Sequence, residues 1–132
     1  MRKSRRVLLV DDEQDAAELT ALLLARYGHE VVIAFDGASA LALASEHRPH
    51  VAILDIGLPS MDGHELGRRI RASPDTADCR LIALTGYCAA VDQERSRLAG
   101  FAWHLSKPVN IEMLHQAIVD AEVESAARRA RR

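Results

Sequence analysis

Short, almost purely apolar runs recur along the chain at similar intervals. The four clearest span residues 7–10, 31–34, 51–54 and 81–84. None of them alternates apolar with polar residues, and this is typical of strands that helices cover on both faces. The segments between the runs carry apolar residues at helical spacing instead. The pattern therefore predicts the strands and crossover helices of a parallel sheet.

Start and stop signals bound four helices between and after these runs, at about residues 12–27, 37–47, 62–73 and 89–98. Gly28 follows the first helix, Asp62 is the expected N-cap of the third, and Pro74 follows the end of the third. The fourth is weakly apolar, so we expect it to be exposed. Two helices have an apolar face, formed by Ala16, Leu19 and Leu23 in the first and by Leu66 and Ile70 in the third.

Residues 101–105 predict a fifth strand, which Trp103 and His104 place at an edge of the sheet because its run is not purely aliphatic. Side chains alternate along a strand, so Trp103 should pack on the side opposite His104. A last helix starts near Asn110, with four residues at core-facing spacing: Ile111, Leu114, Ile118 and Ala121. Five βα units indicate a three-layer α/β sandwich, since a barrel needs eight units and roughly 250 residues.

Composition and charge narrow the class of protein. The chain has 132 residues, is 48% hydrophobic and 27% charged, and has a formal charge of -2, which fits one globular domain and excludes a broadly basic nucleic-acid binder. We assign the domain to residues 5–126 and expect solvated basic tails at 1–4 and 127–132. No apolar run reaches the ~20 residues of a membrane span, which predicts a cytoplasmic location. Cys79 and Cys88 bracket a strand, too far apart for a disulfide, and should be free thiols.

Polar side chains follow the predicted strands where ligands bind in an open α/β sheet, outside the carboxyl ends of the strands. They are Asp11 and Asp12 after the first strand, Asp55 after the third, Thr85 and Gly86 after the fourth, and Lys107 and Pro108 after the fifth. Any one of these residues, taken alone, is better explained as a helix cap, a turn or loop residue or a surface charge than as part of a site. Three carboxylates at one edge repel each other, and such a cluster persists only if protonation, a cation or an ammonium group compensates it.

Hard oxygen ligands with an open coordination sphere favour Mg²⁺, with Mn²⁺ as a substitute, and phosphate oxygens commonly complete such a sphere. No His or Cys pair has zinc-like spacing. The chain also lacks a GxxxxGK[ST] loop, which argues against ATP as a directly bound phosphoryl donor.

Four motifs in this order resemble the response-regulator receiver domains of two-component signalling: VLLVDDE at 7–13, LDIGLPSMDG at 54–63, LTG at 84–86 and LSKP at 105–108. The resemblance covers residues from about 5 to 126 and implies a flavodoxin-like, doubly wound, five-stranded parallel sheet of order 2-1-3-4-5. The run AGFAWHLSKPVN is more similar to the receivers of hybrid histidine kinases than to those that carry DNA-binding effectors.

The resemblance also implies roles for individual residues. Asp55 would be the phosphoacceptor, which becomes 4-aspartylphosphate, and Thr85 and Lys107 would hold the phosphoryl oxygens. The metal ligands would be Asp12 directly, Asp11 beside it, Asp55, and the backbone carbonyl of Gly57. Pro108 would follow a cis peptide bond.

Thr85 and His104 would act as switch residues that carry the signal to the face of helix four, strand five and helix five. Many members have Tyr or Phe where this chain has His104, so a polar switch residue and an exposed edge histidine both remain open. The implied partner is a histidine kinase or histidine phosphotransfer domain. The resemblance implies neither a DNA-binding domain nor a membrane partner, and it implies a monomer or weak dimer with no separate substrate turnover.

Two other functions fit parts of the pattern. A metal-dependent phosphatase acting through an aspartyl-phosphate also uses an Asp nucleophile, but the related haloacid-dehalogenase pattern is DxD, whereas Asp11 and Asp12 are adjacent. A pseudo-receiver that only binds protein would not need Asp55, Thr85 and Lys107 together.

Overall fold

A computed structural model describes residues 5–58, 61–86 and 90–130, with strands and helices alternating along the chain. The strands are β1 (Arg5–Val10), β2 (His29–Ala34), β3 (Val51–Asp55), β4 (Arg80–Thr85) and β5 (Phe101–Ser106). The helices are α1 (Gln14–Ala25), α2 (Gly37–His47), α3 (Gly63–Ala72), α4 (Ala90–Leu98) and α5 (Ile111–Ala130).

All five strands are parallel, and their order is β2-β1-β3-β4-β5, which confirms the predicted sheet. Val7 of β1 pairs with Val31 of β2 on one side and with Val51 of β3 on the other. The chain therefore crosses over β1 between β2 and β3. The strand order reverses at this crossover, where the carboxyl ends of β1 and β3 lie side by side, the position at which open α/β sheets bind ligands.

The sheet separates two hydrophobic cores, because alternate residues of each buried strand face opposite sides. Ala52 and Leu54 of β3 face the core packed by α2 and α3, whereas Val51 and Ile53 face the core packed by α1 and α5. All four side chains are fully buried. This arrangement confirms the three-layer sandwich and explains why β3 contains no polar residue before its last position.

Helix α1 buries a different face from the one that the apolar periodicity suggests. Ala17 and Leu24 are buried against the sheet, whereas Leu19 is 59% exposed and Leu23 is only partly covered. Ala16, Leu19 and Leu23 do share a face, as predicted, but that face lines an open cleft. The helix is apolar almost all round, so its periodicity could not identify the buried side.

The predicted helix signals of α1, α3 and α5 are confirmed in their local geometry. Gly28 adopts a φ of 90°, which favours glycine after a helix end. The Asp62 carboxylate accepts a hydrogen bond from the His64 N–H as the N-cap of α3. The Asn110 side chain accepts one from the Met113 N–H before α5. Leu66 and Ile70 are fully buried, as expected.

Strand β5 lies at the edge of the sheet, as predicted. A register shift lets Leu81 pair with Phe101 and Ile82 with Trp103. Trp103 packs against the α1 and α5 core, and the Arg80 guanidinium lies 5.9 Å from its ring centroid. Its expected packing role is confirmed.

Several predictions concern the ends and the cysteines. Helix α5 extends to Ala130, so the segment predicted as a basic tail from residue 127 begins within a helix, and residues 1–4 and 131–132 lie outside the described residues.

Cys79 is a free thiol, and its burial raises its pKa to about 12. Cys88 lies outside the described residues. Within those residues, none of the helices combines the length and apolarity that crossing a membrane requires.

Candidate functional site

The carboxylates that follow β1 and end β3 converge at the carboxyl edge of the sheet. One oxygen from each of Asp11, Asp12 and Asp55 lies within 4.8 Å of the other two. Asp11 and Asp55 are buried and Asp12 is exposed. Neighbouring parallel strands end at one edge, so the adjacent positions of β1 and β3 bring these acids together. The predicted cluster is present.

Lys107, which directly follows the edge strand β5, brings a positive charge to the cluster. Its Nζ lies 3.0 Å from Asp55 Oδ2 and 3.7 Å from Asp11 Oδ2. The Lys107 N–H donates to the Thr85 carbonyl at 2.8 Å, which holds the backbone of the lysine in place. The Lys107-Pro108 peptide bond is cis, as the resemblance implied. The ammonium group therefore bridges two of the three carboxylates.

The surroundings raise the pKa of both Asp11 and Lys107, which has opposite effects on their charged forms. Burial raises the pKa of Asp11, and the nearby Asp55 and Asp12 carboxylates add to this, although the Glu13 N–H and Lys107 oppose it. Burial alone would lower the pKa of Lys107, but its hydrogen bond and attraction to Asp55, with Asp11 in addition, raise it above the ordinary value. The site therefore favours the charged form of Lys107 and disfavours the charged form of Asp11.

Backbone N–H groups fix the two buried carboxylates. The Gly57 N–H donates to Asp55 Oδ1 at 3.0 Å, and the Glu13 N–H donates to Asp11 Oδ1 at 3.0 Å. Each carboxylate thus has one oxygen bound to the backbone, while its Oδ2 faces Lys107. The single positive charge of Lys107 does not balance the negative charges of three carboxylates. Their oxygens form a ligand set that suits a hard divalent cation such as Mg²⁺.

The remaining predicted site residues lie at or near the ends of β3, β4 and β5. Thr85 is buried at the end of β4, and His104 is half-buried on β5, two residues before Ser106, the partner of Thr85. Gly57 lies in the loop after Asp55. The roles of Thr85 and His104 in switching and of the Gly57 carbonyl as a metal ligand remain predictions.

An apolar cleft of about 300 Å³ adjoins the carboxylates. It is lined by Leu19 and Leu23 of α1, by Val109 and Ile111 at the start of α5, and by Asp11, Lys107 and six other residues. The sequence analysis placed Leu19 and Leu23 on one face of α1 and Ile111 at core-facing spacing, and it did not predict this cleft. The cleft places exposed apolar surface directly beside the charged site.

A polar cluster between α3 and α4 was not predicted from the sequence. His64 is 1% exposed, and its Nε2 lies 2.9 Å from the Oγ of Ser96, which is also 1% exposed. Arg95 of α4 contacts Asp62 at 2.9 Å. Burial would raise the pKa of Asp62, but the His64 N–H, the His64 ring and Arg95 hold it below its usual value. The only sequence signal is two polar residues inside otherwise ordinary helical segments.

Known proteins share both this sequence pattern and this fold. The family model described as the response regulator receiver domain matches residues 7–119. The virulence sensor protein BvgS of Bordetella bronchiseptica is 36% identical over 93% of this chain, which spans only 10% of the length of BvgS. The polar-differentiation response regulator DivK of Brucella anthropi is 30% identical over 85% of this chain and 91% of its own length.

Among solved structures, a CheY-like response regulator receiver domain protein from Methanospirillum hungatei superposes with a TM-score of 0.88. It is 29% identical in sequence, and the match covers 96% of this chain and 99% of that one. The similarity therefore extends over the whole of the fold described above.

Proposed function

The chain belongs to the response regulator receiver domain family, and from this premise we propose that it is a phospho-receiver switch that accepts a phosphoryl group on Asp55. The donor would be a phosphohistidine on a histidine kinase or histidine phosphotransfer domain of a two-component phosphorelay. The observation that carries the proposal is the position of Asp55, a buried carboxylate beside two other carboxylates and 3.0 Å from Lys107.

The proposed reaction is a transfer between two nucleophiles. An Asp55 oxygen attacks phosphorus, an O–P bond forms as the N–P bond breaks, and the imidazole leaves. Asp55 Oδ1 accepts the Gly57 N–H and Oδ2 accepts from Lys107 Nζ, so the oxygen that attacks gives up its hydrogen bond as the phosphoryl group approaches. The Lys107 ammonium offsets the negative charge of the transferred group. Thr85 would donate its hydroxyl to a phosphoryl oxygen after transfer.

Asp11, Asp12 and Asp55, with the Gly57 carbonyl, would hold Mg²⁺ or Mn²⁺. When bound, the cation supplies charge neutralisation between the acidic residues and the phosphoryl oxygens. The protein residues provide the remainder of the site: Asp11 and Asp55 are fixed by backbone N–H groups, and Asp12 lies exposed at the rim where solvent and ligand enter.

The partner that delivers the phosphoryl group must contact the rim around Asp55. The apolar cleft beside Asp11 offers Leu19 and Leu23 of α1 for this contact, next to the charged groups that receive the phosphoryl group. A phosphohistidine on an amphipathic helix would place its apolar neighbours in such a cleft. This explains why α1 leaves an apolar face uncovered.

Incubation with Mg²⁺ and acetyl phosphate, followed by intact mass measurement, tests the central proposal. We expect one phosphoryl group per chain, because the Lys107 ammonium donates a hydrogen bond to Asp55 Oδ2 at 3.0 Å, whereas it lies 3.7 Å from Asp11 Oδ2. A chain that remains unmodified would favour a pseudo-receiver that only binds protein. Continued release of phosphate from a generic phosphomonoester would favour a phosphatase.

Phosphorylation should also change the protection of the face formed by α4, β5 and α5. Thr85 ends β4 next to β5, the strand that contains His104, and among the described side chains of α4 those of Glu94, Arg95, Arg97 and Leu98 are exposed. We expect amide hydrogen exchange to change over residues 89–105 when the phosphorylated and unmodified forms are compared. A change confined to the loop after Asp55 would contradict this output surface.

A further inference from the structure

The first turn of α3 packs directly on the backbone of the phosphoacceptor. The Gly63 N–H donates to the Ile56 carbonyl at 3.2 Å. A Cβ at Gly63 would lie 2.6 Å from the Asp55 carbonyl oxygen and 2.7 Å from the Ile56 Cα, closer than real Cβ atoms approach. The start of α3 therefore packs closely against the backbone of Asp55 and Ile56, closely enough that only glycine fits at this position.

The next residue, His64, extends this contact to α4. Its ring is buried, its Nε2 shares a hydrogen bond of 2.9 Å with Ser96 Oγ, and its Nδ1 lies 3.2 Å from Asp62 Oδ1. The Phe101 ring meets the His64 ring edge to face at a centroid distance of 6.0 Å. The Phe101 ring packs against the imidazole, and Ser96 and Asp62 make polar contacts with its two nitrogens. Together these contacts fix the orientation of the ring.

A second, exposed contact joins the same two helices. Arg95 of α4 contacts Asp62, the N-cap of α3, at 2.9 Å. Both side chains are about half exposed, so this pair alone contributes little. We call Asp62, His64, Arg95 and Ser96 the α3–α4 link, in which the buried His64–Ser96 bond is the main element because a polar group left unpaired in the interior is strongly unfavourable.

We propose that the α3–α4 link transmits the state of Asp55 to helix α4 through Gly63 and His64, a route separate from Thr85 and His104. The inference rests on the proposed function, since it concerns how phosphorylation of Asp55 reaches the output surface. A shift of the Asp55 backbone displaces Gly63, the His64 ring moves with it, and Ser96 carries the displacement into α4. Ser96 and His64 are thus positioning residues of the switch.

The test compares amide hydrogen exchange of the parent and a Ser96→Ala variant, each with and without phosphorylation by acetyl phosphate and Mg²⁺. In the unmodified variant, residues 94–98 should exchange about fivefold faster than in the parent, the ratio expected for the loss of one hydrogen bond. On phosphorylation, residues 61–66 should respond as in the parent, while the response of residues 94–98 should be reduced to the part that Thr85 and His104 carry. Ser45→Ala is the matched control, because Ser45 Oγ donates to Asp75 at an exposed position far from α4.

A double variant, His64→Leu with Ser96→Ala, guards against simple instability, since replacing both partners by apolar groups leaves no unpaired polar atom. It should be more stable than Ser96→Ala yet equally deficient in the α4 response. The proposal is overturned if α4 exchanges and responds as in the parent in both variants, or if protection falls equally across the whole domain. Absence of any phosphoryl adduct on the parent would instead contradict the proposed function, and faster α4 exchange in the unmodified variant would still support the link.

Discussion

An Asp55→Asn variant is expected to show no phosphoryl adduct after incubation with acetyl phosphate and Mg²⁺, whereas the parent gains one. The amide keeps the shape of the side chain and its oxygen can still accept the Gly57 N–H, which Asp55 Oδ1 accepts at 3.0 Å in the parent. It lacks the second anionic oxygen, which in the parent faces Lys107 Nζ at 3.0 Å. A neutral amide is too weak a nucleophile to attack phosphorus, so labelling should fall to background.

Intact mass of parent and variant under identical conditions checks this result. Asp120→Asn is a suitable control, because Asp120 accepts a hydrogen bond from Gln116 on α5, remote from the site, and its loss should leave labelling unchanged. If Asp55→Asn is labelled as well as the parent, Asp55 is not the phosphoacceptor. Peptide mapping would then identify the acceptor, with Asp11 and Asp12 as the nearest candidates.

Mg²⁺ is expected to raise the thermal stability of the parent, and an Asp12→Asn variant is expected to lose most of this gain. A cation that binds the folded cluster but not the dispersed carboxylates of the unfolded chain stabilises by about 1.4 kcal/mol at tenfold saturation. For a domain of this size that corresponds to a rise of about 5 °C in the melting midpoint. Removing one of the three carboxylate ligands weakens Mg²⁺ binding and therefore reduces the rise in the melting midpoint.

The same substitution should act in the opposite direction without metal. In EDTA the acids repel each other, and burial together with the Asp55 and Asp12 charges already raises the pKa of Asp11. Neutralising Asp12 relieves part of this repulsion, so Asp12→Asn should melt at a higher temperature than the parent in EDTA.

Thermal melts of both proteins in EDTA and in millimolar Mg²⁺ test the two effects together. Asp15→Asn provides the control, since Asp15 is a neighbouring acid in the first turn of α1 that lies outside the cluster. It should keep the full response to Mg²⁺. A parent that does not respond to Mg²⁺, or an Asp12→Asn variant that responds fully, would show that these acids do not form a metal site.

The sequence was sufficient to predict the cluster because a parallel sheet brings the ends of its strands to one edge. Asp11, Asp55 and Lys107 needed only the correct strand bounds to be placed together, and the apolar runs at 7–10 and 51–54 and the mixed run at 101–105 gave those bounds. The edge position of β5 followed from Trp103 and His104 in the same way. Each of these predictions depends on one element and its end, which local pattern determines.

Predictions that required two elements at once were less successful. The orientation of α1 depends on which side the sheet covers: the apolar periodicity placed Ala16, Leu19 and Leu23 on one face, whereas the sheet buries Ala17 and Leu24. The contact between His64 and Ser96 joins residues 32 positions apart, on two helices that a strand separates in the sequence. No periodicity within either helix specifies such a contact.

The strand order also divides the site unevenly across the sheet. The three carboxylates follow β1 and end β3, which pair with each other in the middle of the sheet, whereas Lys107 follows β5 at its edge. Within the described strands, β5 pairs with β4 alone. Local opening of that edge strand would therefore withdraw the ammonium group and leave the acidic cluster in place, so a bound cation matters most to the domain when β5 opens.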